Sequence, residues 1–179
     1  MLRITVLGCE EWDDAKQEFI YSKDQLLVLE HSLVSLSKWE AKWNKSFLST
    51  KDKTNDEVID YIRCMTVNHD VPKDTYFRLT ASQINEINEY IGAPMTATTF
   101  GNRNDRPSRE IITSEIIYYW MILYNIPFEC EKWHLNRLIT LIRVCSIKGQ
   151  KSKPMSKKDT AAMYARLNAE RRKKMNSKG

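Results

Sequence analysis

The sequence predicts an α+β protein that is mostly helix: a small N-terminal antiparallel sheet, a helical core and a basic C-terminal helix. Three observations point there. Leu2, Ile4 and Val6 alternate with Arg3, Thr5 and Leu7, the period of two that marks a half-buried strand. From Ser32 the apolar spacing changes to three and four, which is the helical period. Residues 148–179 hold eleven Lys/Arg against Asp159 and Glu170, a net of +9, which leaves 1–147 with seventeen basic and twenty-one acidic residues, or −4. The expected layout is one globular domain over 1–147, with strands at about 1–31 and helices at about 33–147, followed by a basic linker and helix over 148–179.

The elements follow in order. After the strand at the N-terminus, Glu10 to Gln17 is acidic and polar and reads as a connecting loop. Glu18–Tyr21 and Gln25–His31 are the second and third strands, so a small three-stranded meander is expected, and a two-stranded version also fits. Leu33, Leu36, Trp39 and Trp43 then line one face of a first helix, with Lys38, Glu40 and Lys42 beside them. Thr54-Asn-Asp-Glu57 opens a second helix with a capping box, its apolar face built from Val58, Ile59, Ile62 and Met65. Thr80-Ala-Ser-Gln83 repeats that start signal before Ile84, Ile87 and Ile91, and Gly92 with Pro94 ends the third helix.

Gly101 to Ser108 is polar and turn-rich and reads as the main internal loop. Ser108 is the expected cap of a long helix that ends near Tyr124, because Pro127 cannot continue it. Ile111 to Tyr124 is apolar nearly all round, which predicts the central, most buried helix. A further helix over roughly Cys130 to Ile147 presents Leu135, Leu138, Ile142 and Cys145 on one face. These two helices, joined at Ile126-Pro-Phe, are expected to pack as an antiparallel hairpin and form the core over 109–147. Lys148 to Pro154 has linker composition. Ser156 to Asp159 then caps a last helix with a thin stripe of Ala161, Ala162, Tyr164, Ala165 and Leu167, expected to be loosely attached.

Composition narrows the function classes. The longest strongly apolar run, Ile116 to Leu123, is eight residues, against about eighteen or more for a membrane span. The N-terminus carries no apolar signal core, so the protein is expected to stay where it is made and not to engage a membrane. Cys9, Cys64, Cys130 and Cys145 form no Cys-x-x-Cys pair, and a reducing compartment suits them better than a disulfide scaffold. Cys130 and His134 stand four apart, a spacing that could place both on a metal, but no third or fourth ligand is evident. His31 ends a strand, and His69 follows Cys64 closely enough to raise a thiol–imidazole pair, for which a buried Cys and an exposed His is the plainer reading. Glycine-rich phosphate loops and nucleophile elbows are absent. No catalytic residue, metal site or cofactor is therefore assigned.

Binding is the remaining class. Trp39, Trp43 and Phe47 lie on an amphipathic helix and are the expected surface groove or partner contact. Arg166, Arg171, Arg172, Lys173 and Lys174 supply an electrostatic arm. That arm suits an acidic protein surface or unspecific nucleic-acid binding, and bare solvation accounts for it too.

Three segments carry a family resemblance: Leu27–Glu40 (LVLEHSLVSLSKWE), Pro94–Phe100 (PMTATTF) and Ile126–Leu138 (IPFECEKWHLNRL). Together they resemble small proteins encoded in the structural-gene region of tailed bacteriophages, most closely tail assembly chaperones. A virion neck, connector or tail component is the competing role. The resemblance implies a non-enzymatic protein of the infected host cytoplasm, or of the virion if the structural role holds. Its implied partner is the long tape-measure protein, or other tail and virion proteins, with self-association open. The resemblance transfers no residue role to this chain.

Overall fold

A computed structural model describes residues 1–14, 16–100, 111–149 and 157–175. They fall into two compact units, Met1–Ser146 and Ile147–Gly179. The architecture is α+β and mostly α, with all strands ahead of all helices.

The N-terminal region holds four strands in two separate antiparallel ladders, which replaces the expected meander. Strand β1 (Leu2–Val6) pairs with β4 (Gln25–Leu29), setting Leu2 opposite Leu29 and Ile4 opposite Leu27. Ile4, Val6, Leu27 and Leu29 are buried, as the period of two requires. Between them, β2 (Glu10–Asp13) and β3 (Glu18–Tyr21) form their own hairpin. The acidic stretch expected as a loop is therefore a strand. Its four residues offer no apolar alternation, and only the pairing of Trp12 with Phe19 reveals it. The outer edge of β4 is closed by the end of the second helix and the residues after it: the Glu30 and Val67 amides donate to the Met65 and Val28 carbonyls. The Asn68 side chain accepts from the Val28 amide and donates to the Leu26 carbonyl. Main-chain groups that would otherwise be an exposed edge are thus satisfied.

Helix α1 (Leu33–Trp43) starts at Ser32, which forms a reciprocal cap with Ser35, and ends at Asn44 in the left-handed region, φ 53°. Helices α2 (Asn55–Met65) and α3 (Ala81–Gly92) begin with the expected capping boxes at Thr54/Glu57 and Thr80/Gln83. A 3-10 turn, Lys73–Arg78, lies between them.

Helix α4 runs only from Ser114 to Leu123, with Ile111 to Thr113 non-helical. The expected loop over Gly101–Ser108, and Ser108 itself, lie outside the described residues. Thr113 makes no side-chain cap; instead the buried carboxylate of Glu40 accepts from the Ser114 amide at 2.7 Å and from the Phe47 amide at 2.8 Å. A residue of α1 therefore caps α4, where an anion is favoured by the unpaired amides and the helix dipole. Phe128–Lys132 is a second 3-10 turn, and α5 (Leu135–Gly149) begins after it, five residues later than expected from Cys130.

The apolar interior is two clusters, where one core centred on 109–147 was expected. The first joins the sheet to α2 and α3 around Trp39, Tyr61, Ile62 and Ile87. The second gathers Ile117 and Met121 of α4 with Leu135, Leu138 and Ile142 of α5, together with Leu33 and Leu36 of α1. Helix α1 supplies both, so it is the spine of this unit.

The C-terminal unit contains α6 (Lys157–Met175). Its described side chains from Ala161 onward are all exposed. The expected cap at Ser156 and most of the expected linker lie outside the described residues.

Candidate partner-binding surfaces

The aromatic trio expected at a surface groove is mostly interior. Trp39 is fully buried, and its indole N–H donates to the Glu57 carbonyl at 2.8 Å. Phe47 stacks on Tyr61 with ring centroids 3.7 Å apart, and Trp39 meets Phe47 edge-on at 5.1 Å. Trp43 is half-buried; its indole donates to Asp60, which also pairs with Lys42 and Arg63. Burial raises the pKa of Asp60, but these hydrogen bonds and charges outweigh it and hold the carboxyl below its usual range. The period of α1 is correctly read in the sequence. Its partners are α2 at Trp39 and Trp43 and α4 with α5 at Leu33 and Leu36, so the stripe belongs to the core and only Trp43 keeps an edge towards solvent.

The exposed apolar surface lies elsewhere. Helix α4 buries Ile117 and Met121 completely, yet leaves Tyr119 59%, Ile122 62% and Leu123 53% exposed. Those three stand at i, i+3 and i+4 and so share one face. Phe128, also exposed, brings its ring within 6.4 Å of Tyr118, whose hydroxyl donates to Glu131 at 2.8 Å. The helix expected to be the most buried is therefore covered on one side only. Scattered exposed apolar residues are ordinary, whereas a contiguous stripe marks an interaction surface. Sequence reading assigned these residues to the core because an all-round apolar helix fits either a central position or one awaiting a partner.

A second apolar surface is the β2–β3 hairpin. Trp12 and Phe19 are opposite each other, their rings edge-to-face at 4.9 Å, and Tyr21 follows two residues along. All three are exposed. On α6, Arg166, Arg171, Arg172 and Lys174 are exposed, and Arg166 makes a loose pair with Glu170 at 3.6 Å. Lys173 belongs to the same helix.

His31, His134 and Cys130 are buried, Cys64 is half-buried and His69 is exposed. His31 and His134, 103 positions apart, meet with ring centroids 5.1 Å apart in the interior. The His134 Nε2–H donates to the Tyr90 carbonyl at 3.0 Å, and its Nδ1 accepts from the Asn136 amide. Cys130 sits in the preceding 3-10 turn, not on the same helix. His31 Nδ1 shares a 2.6 Å hydrogen bond with the Tyr61 hydroxyl. Burial, with the neighbouring His134 adding to it, lowers the His31 pKa to about 3. Burial also pushes the Cys64 thiol up to about 11 and raises that of Cys130, so neither is a ready thiolate. Among the described residues, no group of three or more His, Cys, Asp or Glu is placed to hold a metal ion, and no helix is long and apolar enough to cross a membrane.

Comparison with known protein families, curated proteins and solved structures finds no match to this chain.

Proposed function

We propose that this chain acts by binding, as a bacteriophage tail assembly chaperone that keeps the tape-measure protein soluble in the host cytoplasm during tail morphogenesis. One observation carries the reading: the stripe of Tyr119, Ile122 and Leu123 stands open on a helix whose opposite face is anchored in the core. A long helical client that exposes apolar faces before assembly is matched by such a stripe, which would cover one face of the client helix. The resemblance of Leu27–Glu40, Pro94–Phe100 and Ile126–Leu138 to phage tail assembly chaperones supports the same role. The cationic side chains of α6 add a salt-sensitive contact to acidic stretches of the client. In this reading the binding residues are those of α4, in place of Trp39 and Phe47.

Co-expression tests it. The soluble fraction of the tape-measure protein should rise when this chain is present and fall back when Ile122→Ser and Leu123→Ser are combined. Both positions are exposed, so the thermal unfolding of the variant should match that of the original chain. An unchanged soluble fraction with the original chain ends the proposal. Mass spectrometry of purified particles separates the structural alternative, since a neck, connector or tail component stays in the mature particle in fixed stoichiometry. Exposed basic residues on α6 also favour unspecific nucleic-acid binding. A gel shift at low salt that disappears on removal of residues 148–179 would support that second reading.

A further inference from the structure

The β2–β3 hairpin is a small platform with two properties that belong together. In the observed register, Trp12 faces Phe19 and Glu10 faces Tyr21, so these four residues alternate onto one side of the ribbon. Three of them are large exposed rings: Trp12 at 48%, Phe19 at 55% and Tyr21 at 67%. Glu10, also exposed, shares the side of the rings, and the segment 10–18 as a whole holds five acidic residues and one lysine. Nothing in the described N-terminal unit covers this face.

The platform is also held firmly at its base. The Gly8 amide donates to Asp24, and Cys9 and Ser22 exchange hydrogen bonds through main chain and side chain. Arg78, reaching from the turn before α3, donates to the Leu7 carbonyl and to the Ser22 hydroxyl. A hairpin fixed this way presents its rings at little entropic loss on binding.

We infer that this face is the docking site for the α6 helix of a second copy of the chain. An exposed aromatic face on an acidic segment selects guanidinium and ammonium groups, which lie over ring faces and are drawn in by the negative charge. Helix α6 carries seven basic and two acidic residues, and Arg166, Arg171, Arg172 and Lys174 are exposed. The stretch Arg166 to Lys174 is about 12 Å long at helical rise, close to the roughly 10–13 Å of a four-residue strand. Charge favours this pairing over the others available to two copies. The body, at −4, repels a second body, and the tail region, at +9, repels a second tail, whereas body and tail attract. Because the two surfaces differ, the contact is head-to-tail and can extend from copy to copy.

Sedimentation velocity on the full chain tests the inference. At about 50 mM salt the chain should associate as its concentration rises, and at about 500 mM that association should weaken at least tenfold, as screening shortens the reach of the charges. Combining Trp12→Ala with Phe19→Ala should abolish the association, as should combining Arg171→Glu, Arg172→Glu and Lys174→Glu. Phe19→Ala alone is a milder check, and circular dichroism confirms that each variant is folded. An equimolar mixture of the hairpin variant and the tail variant should recover pairing that stops at two copies, because only one intact hairpin and one intact tail remain to meet. A monomer at every concentration in low salt overturns the inference. So does undiminished association of either variant, or a mixture that stays monomeric. The assay contains no client and leaves the α4 stripe unaltered, so its failure is distinguishable from failure of the chaperone reading.

Discussion

Lowering the pH from 7 to 5 should remove about 2 kcal/mol of folding stability through His31 alone. The imidazole is 2% exposed and bonded to the Tyr61 hydroxyl. Burial holds its folded pKa at about 3, against 6.5 for the free side chain. The unfolded chain therefore takes up the proton first. Stability from this group is complete above about pH 6.5, falls as the pH drops below that value, and levels off near pH 3. From 6.5 to 5 is about 1.5 pH units at 1.36 kcal/mol each, hence about 2 kcal/mol, a large share of the 5–15 kcal/mol typical of a domain. Other groups facing the site are Tyr61 from α2, His134 ahead of α5 and Tyr90 from α3. Urea unfolding followed by tryptophan fluorescence at pH 7, 6 and 5 would measure the loss. The comparison is with His31→Phe combined with Tyr61→Phe, which removes both hydrogen-bond partners and keeps the ring volumes, so that no polar group is stranded. The original chain should lose about 2 kcal/mol more than the double variant over this range. Parallel curves, within about 0.5 kcal/mol of each other, would refute the reasoning.

Four further substitutions examine the frame. Glu40→Ala strands the amides of Phe47 and Ser114 and uncaps α4, so chemical denaturation should show a loss of about 2–4 kcal/mol. Gly8→Ala would place a Cβ 1.9 Å from the Ser22 carbonyl oxygen, an overlap with rigid backbone that should cost about 2 kcal/mol or more; an unchanged melting temperature would mean the hairpin leaves the sheet differently. Trp39→Ala should cost about 3–5 kcal/mol as a buried ring. Trp12→Ala should change stability by no more than about 1 kcal/mol, since its ring is half in water and its one described ring partner is Phe19.

Local chemistry alone determined much of this protein. The caps at Thr54 and Thr80, the stop after Gly92, the alternation in Leu2–Val6 and the stripe of α1 each depend on residues within a few positions of one another. The charge division between body and tail is likewise a property of the chain as written. Tertiary structure decided which surface each pattern faces. The pairing of β1 with β4 turned an acidic stretch into a separate hairpin. Contact with α2 buried Trp39 and half-buried Phe47, and the one-sided packing of α4 left Tyr119, Ile122 and Leu123 in water. The cap of α4 comes from Glu40, 74 residues earlier, and His31 finds His134 only when the residues after β4 pair with those at the start of α5. The physical reason is that periodicity reports whether a face is apolar, whereas what covers that face depends on contacts between residues far apart in the chain.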